Sequence, residues 1–203
     1  MPSLDQQFGQ IDIYLFDQLL RGNIAQGMKV LDAGCGYGRN LVYLLREGFE
    51  VYGVDASRDS IQSVRALAAT LAPALPADNF RQEEVESMSF PDAFADVVLS
   101  SAVLHFAETP AQFRAMLQEM WRVLKPGGLF FCRLASSIGI EDRVQRVNGQ
   151  RFLLPDGSER FLVTEEILLN LGTALGGDLL DPLKTTVVQN QRSMTTWVLR
   201  KNA

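Results

Sequence analysis

The chain has 203 residues, with 47% hydrophobic and 21% charged positions, and its 19 Lys+Arg against 24 Asp+Glu give a formal net charge of −5. That balance excludes a disordered or collagen-like chain, and the length suits a single domain, 1–203, with little room for a second module. The acidic sign argues against a general nucleic-acid binder; no apolar run reaches the ~18–20 residues that cross a bilayer and no basic leader opens the chain, so a cytoplasmic location is expected.

Helical spacing of Phe8, Ile11, Leu15 and Leu19 ahead of Gly22 predicts a leading helix over residues 4–20. Residues 28–33 then read as a short apolar strand that runs into Gly34-Cys35-Gly36-Tyr37-Gly38, and Leu41, Leu44 and Leu45 predict a helix over 39–47. A second strand covers 49–54 and ends at Asp55; Ser57 can cap the following helix, which stops near Pro73. A weaker third strand lies around 79–83, a fourth at 96–101, a helix at about 109–123 and a fifth strand at 129–134 after Pro126-Gly127-Gly128. Alternating strands and helices build an open, mostly parallel sheet whose crevice lies at the strand carboxyl ends.

The pattern changes after Leu134. Residues 136–151 carry no strong period, and 152–162 read as two short strands about a Pro155-Asp156-Gly157 turn, so 136–163 is an insertion bearing a hairpin. Thr164 can open one more helix, and residues 185–189 and 195–200 predict a terminal antiparallel pair. Cys35 and Cys132 are the only cysteines, too few for a disulfide framework or a four-ligand metal centre, so two reduced thiols and no metal are expected.

A glycine turn after a strand lets a ligand approach the backbone, and nicotinamide and flavin sites use the same device as G-x-G-x-x-G. Counting from Gly34, the third small residue of that fingerprint falls at Arg39, whereas Asp55 stands at the end of the second strand, about 20 residues on, where a carboxylate holds ribose hydroxyls. A ribose-containing ligand across the first two strands is the expectation; a plain packing turn is the competing one.

Residues 30–38, Val-Leu-Asp-Ala-Gly-Cys-Gly-Tyr-Gly, resemble motif I of the class I S-adenosylmethionine-dependent methyltransferases. Segments 51–57, 84–90, 96–100 and 124–128 resemble the later motifs of that family in order and spacing, and Gly38-Arg39-Asn40 is similar to its tellurite-resistance-type and small-molecule members. The resemblance covers 28–134, with a Rossmann-like sheet of seven strands in the order 3-2-1-4-5-7-6, the seventh antiparallel, as the implied fold. It implies that Gly34, Cys35 and Gly36 border the methionine part of S-adenosyl-L-methionine, with S-adenosyl-L-homocysteine as product. It further implies that Asp32 orients the amino group, Asp55 holds the ribose, Ala56 borders the adenine, Glu84 and Val85 meet the adenine, and Ser100 offers its carbonyl near the ammonium. Arg39, beside Asn40, is expected either at the methionine carboxylate or in solvent. Glu84 stands where the family has an aspartate, one methylene shorter.

An activated methyl needs no covalent nucleophile, so the lack of a dyad says nothing against transfer. His105, just past the fourth strand, is expected at the acceptor rim either as a base or as a packed ring, with Tyr37 also near the acceptor. Arg133 is unusual in an apolar strand and either binds an anionic acceptor or joins a salt bridge. The implied partner is a small molecule, with an anion as one option, rather than nucleic acid or membrane, and the chain is expected as a monomer or homodimer. The insertion is expected to cover the acceptor, with a plain surface hairpin or a dimer contact as the competing reading. Two further readings stay open, an S-adenosylmethionine-binding sensor without transfer and a nicotinamide-dependent oxidoreductase.

Overall fold

The apolar runs between residues 28 and 135 form the strands of one sheet in the computed structural model, which describes residues 3–203. In chain order the elements are α1 (Leu4–Phe8), α2 (Ile13–Leu20), β1 (Lys29–Ala33), α3 (Val42–Arg46), β2 (Glu50–Asp55), α4 (Arg58–Leu71), β3 (Phe80–Gln82), β4 (Ala95–Ser101), α5 (Pro110–Val123) and β5 (Leu124–Ala135). They continue with β6 (Gln145–Asn148), β7 (Arg151–Leu153), β8 (Glu159–Phe161), α6 (Glu165–Leu175), β9 (Gly177–Leu179), β10 (Lys184–Val188) and β11 (Arg192–Lys201). The main sheet runs β3-β2-β1-β4-β5-β11-β10, with its first five strands parallel and β11 antiparallel to β5.

This is the Rossmann-like order expected from the sequence, with one difference. The seventh, edge position is shared: β10 pairs with residues 192–196 of β11, and the unforeseen β9 pairs with residues 199–201. Both sheet faces are covered by helices, so neighbouring residues on one strand serve opposite cores. Val30 packs with Leu15, Leu41 and Val64, while Leu31 packs with Val98, Leu117 and Met120. Such two-sided burial explains why the strands read as continuous apolar runs instead of alternating ones. Each fully buried aliphatic side chain contributes about 1.5–3 kcal/mol.

Helix starts follow the capping chemistry in the sequence. Ser57, Thr109 and Thr164 accept from the amides of Ser60, Gln112 and Ile167, and Pro110 takes the first turn of α5, where no amide partner is needed. The leading helix is not continuous. Gly9, at φ 60°, ends α1, and Asp12 caps α2 by accepting from the Tyr14 amide at 2.9 Å. A bend there lets Phe8 stack on Tyr43 of α3 at 5.3 Å while Leu15 enters the core, which one straight helix could not do. The helix expected over 39–47 is likewise reduced to Val42–Arg46, because Arg39, Asn40 and Leu41 remain in the turn.

Strand β5 begins earlier than expected. Ala95 pairs with Leu124, a bulge absorbs Pro126-Gly127-Gly128, and pairing resumes at Val97 with Leu129. The insertion holds three strands, β6-β7-β8, where a hairpin was expected. The extra strand β6 is exposed along its whole length, so it lacks the buried face that gives a strand its period. Phe161 at the end of β8 stacks on Phe113 of α5 at 4.6 Å and ties the insertion to the core.

Candidate active site

The carboxyl ends of β1, β2, β4 and β5 converge where strand order reverses, between β1 and β4, which is where open α/β sheets bind ligands. A cavity of about 650 Å3 lies there. Its walls include Asp32, Gly34, Cys35, Gly36, Tyr37, Arg39, Asn40, Asp55, Ala56, Glu84 and Val85. The sequence-derived cofactor residues are thus brought together, with the exception of Ser100. Successive strand side chains face opposite ways, so the Ser100 side chain turns into the core beside Cys132, and Ser101 and Ala102 line the cavity next to it; the role implied for Ser100 belongs to its backbone carbonyl, not to that side chain.

The turn after β1 is held open by backbone bonds. Gly34 and Cys35 both donate to the Val54 carbonyl at 2.9 Å, and the Gly36 amide donates to Asp55 Oδ2 at 2.9 Å. Asp55 Oδ1 accepts from the Ser57 amide at 2.9 Å, so the carboxylate is fixed by two amides at the mouth of the cavity. Gly34 sits at φ 85°, and a Cβ there would run into the Val103 side chain. Gly36, at φ 51°, is different: a Cβ there would meet no protein atom within 4 Å.

Asp32 is 2% exposed, and burial, opposed by Arg39 and aided by Asp55, raises its carboxyl to about 7. A cationic group in the cavity would restore its charged form. Arg39 is neither free in solvent nor committed to a carboxylate here, since its Nη2 donates to Ser101 Oγ at 2.9 Å. Asn40 borders the cavity but uses its Oδ1 to accept from the Asp12 amide at 3.0 Å, anchoring the N-terminal segment. Glu84 is exposed at the rim and Val85 is buried in the wall. The Cys35 side chain packs toward β2, close enough that a Cβ at Gly53 would lie 3.0 Å from its sulfur, and burial pushes its thiol up, away from reactivity.

Sequence reasoning missed Gln10, Glu86, Val103, Phe106, Gln112 and Met116 in the same wall. They arrive from the break between α1 and α2, the loops after β3 and β4, and one face of α5. Glu86 accepts from Gln112 Nε2 at 2.9 Å, a pairing between residues that no local pattern connects.

A second cavity of about 350 Å3 adjoins the first and shares Arg39, Ser101 and Ala102 with it. Here lie two of the expected acceptor residues, His105 and Arg133, whereas Tyr37, 68% exposed, stays at the first. Leu154, Asp156, Ser158 and Arg160 of the insertion form part of its wall. His105 Nδ1 accepts from the Ala135 amide at 3.1 Å, which leaves Nε2 as the ring's N–H. Burial and the neighbouring Arg160 lower its pKa to about 4. The geometry therefore gives the ring a packing and hydrogen-bonding job, with no lone pair free to take a proton. Arg133 donates through Nη1 to Asp12 Oδ2 at 2.7 Å, the salt bridge anticipated as its alternative role, and its Nε has no partner among the described residues.

The residues present fit S-adenosylmethionine. The volume lies in the ~300–1,000 Å3 range of small-molecule sites, Gly36 leaves room where a side chain would intrude, and Asp32 and Asp55 offer carboxylates to an ammonium and to ribose hydroxyls. Comparisons with known proteins agree. An uncharacterized methyltransferase of Synechocystis sp. is 37% identical over 117 residues, which are 57% of this chain and 51% of that protein. The chain thus spans about half the length of this curated relative. Among solved structures, a SAM-dependent methyltransferase from Methanosarcina mazei superposes with a TM-score of 0.75 at 22% identity, covering 91% of this chain and 97% of the other. The Burkholderia thailandensis 1,6-didemethyltoxoflavin-N1-methyltransferase, solved with S-adenosylhomocysteine and 1,6-didemethyltoxoflavin, gives 0.70 at 22% identity, covering 91% and 76%. The family model described as a methyltransferase domain matches residues 31–132, from the middle of β1 to the middle of β5, and on that match this chain belongs to the S-adenosylmethionine-dependent class I methyltransferases.

Proposed function

We propose that the chain moves a methyl group from S-adenosylmethionine in the larger cavity to a small-molecule acceptor in the smaller one. The observation that carries this reading is the shared wall: Arg39, Ser101 and Ala102 border both cavities, so a donor and an acceptor would meet there. When bound, S-adenosylmethionine supplies an electrophilic methyl on a sulfonium, ready for in-line displacement. The protein's own contribution is placement. Asp55, fixed by the Gly36 and Ser57 amides, sets the ribose end; Asp32 sets the charged end; Val85 and Met116 give an apolar wall between them. Holding two reactants in attack geometry converts a bimolecular step into an effectively unimolecular one, worth up to about 7–11 kcal/mol. The insertion, packed against α5 and walling the acceptor cavity, keeps water from the reacting atoms.

Calorimetric titration with S-adenosylhomocysteine and with NAD tests the donor site. Saturable binding of S-adenosylhomocysteine alone is expected, and Asp55→Ala should weaken it by about 1.5–3 kcal/mol. Binding of NAD alone would overturn the assignment. Transfer is read by incubating the protein and labelled S-adenosylmethionine with metabolite pools and following label into a small product; cofactor binding with no acceptor labelled in any pool would leave a binding protein without transfer.

A further inference from the structure

We propose that the second cavity grips its ligand through an oxyanion, a carboxylate or phosphate monoester carried on a small apolar body. Calling that ligand the methyl acceptor rests on the transfer reading above, but the oxyanion preference rests on the cavity alone.

The chain is acidic overall, yet four arginines line this one cavity of about 350 Å3: Arg39 from the glycine turn, Arg133 from β5, Arg160 from β8 and Arg192 from β11. They come from separate segments, so no single charged run explains their meeting. Against them, among the described residues, stand Asp156 in the wall, Asp12 behind Arg133 and the buried Asp32 beside Arg39. Asp156 Oδ1 accepts from the Ser158 amide at 3.0 Å and Ser158 Oγ at 2.6 Å, and its single charge faces both Arg160 and Arg192. His105 is neutral, with Nδ1 taken by the Ala135 amide. Four guanidiniums outnumber these three carboxylates and repel one another unless something negative sits between them.

The donors are partly uncommitted. Arg160 donates to the Glu159 carbonyl and lies over the Phe106 ring at 5.0 Å, and among the described residues no carboxylate comes within salt-bridge distance of it. Arg133 Nε is buried without an acceptor among the described residues, an arrangement that costs free energy in the absence of a ligand. Guanidinium forks match the two oxygens of a carboxylate or phosphate. Leu154, Val188, Met194 and Ala135 supply an apolar stretch of the wall beside Ser101, His105 and Ser158, suited to an apolar body next to the charged group.

The test uses the full chain saturated with S-adenosylhomocysteine and three probes of similar shape: benzoate, phenyl phosphate and neutral benzamide. At least one anion should bind roughly tenfold or more tightly than benzamide, and which anion wins separates carboxylate from phosphate. The Arg160→Gln/Arg192→Gln variant should lose that preference while its S-adenosylhomocysteine affinity, which reports an intact fold, stays the same. Equal binding of benzamide and the anions, no binding of either anion, or full anion binding by the double variant would each overturn the proposal. Failure of S-adenosylhomocysteine to bind would instead sink the transfer reading, and the same probes on the free protein would still decide the cavity's charge preference.

Discussion

Two alanine substitutions in one turn separate what the glycines do for the fold from what they do for the ligand. Gly34 and Gly36 both have positive φ, 85° and 51°, so alanine at either position takes on left-handed strain of about 1–2 kcal/mol. At Gly34 the new methyl also overlaps Val103, whose Cγ1 lies 2.9 Å from the Cβ position and whose Cγ2 is closer still. Overpacking of that kind costs about 1–3 kcal/mol more. Gly34→Ala should therefore lose about 2–5 kcal/mol in total, and Gly36→Ala only about 1–2 kcal/mol. With an m-value of about 2 kcal/mol/M, the urea midpoint falls by about 1–2.5 M for the first and by 1 M or less for the second. S-adenosylhomocysteine titration should invert the order for the folded fraction, because the Gly36 methyl meets no protein atom and enters the ligand's space. Equal loss of stability in the two variants, or full cofactor affinity in Gly36→Ala, would refute the reasoning.

Three more outcomes follow from the electrostatics. Burial raises the Asp32 carboxyl to about 7, so the native state holds its proton more tightly than the unfolded chain does. Stability on this account is highest at low pH, declines as pH rises from about 4 to 7 and is flat above; Asp32→Asn should remove that decline and gain up to about 4 kcal/mol at pH 8, read by urea melts across pH, and an unchanged profile would count against it. His105, lowered to about 4, is neutral throughout the working range, so His105→Asn, which keeps an acceptor near Nδ1, should leave any pH–rate profile between 6 and 9 without a lost inflection; a lost limb near 6.5 would restore the base role. Asp12→Ala strands Arg133 without its carboxylate, and with the Asp12 side chain wholly buried the loss should approach 3 kcal/mol in denaturant melts; a loss below 0.5 kcal/mol would mean that Arg133 finds another partner.

The core of the fold and one side of the site were legible because they depend on local chemistry. Strand, glycine turn and helix follow one another within residues 28–55, so the positions of Asp32, Gly36 and Asp55 relative to one another are set by a short stretch of chain. Caps at Ser57 and Thr164 were readable for the same reason. Faces of a strand were less secure. Ser100 and Ser101 are neighbours in a run buried on both sides, so nothing in the pattern says which side chain looks into the crevice, and the folded sheet turns Ser101 to it.

What the sequence determined by itself was a parallel sheet with a glycine turn, an acidic residue closing β2 and hence a nucleoside-type cofactor site, because each is encoded by residues within a few positions of one another. Only the tertiary structure decided the second cavity. Asp12 finds Arg133 121 residues away and Gln112 finds Glu86 26 residues away. Arg39, Arg133, Arg160 and Arg192 meet only because the insertion and β11 fold back over the carboxyl ends of β4 and β5. Charge balance along the chain is a sum, while a binding site is a local concentration, and a chain of net −5 can still gather its guanidiniums in one place.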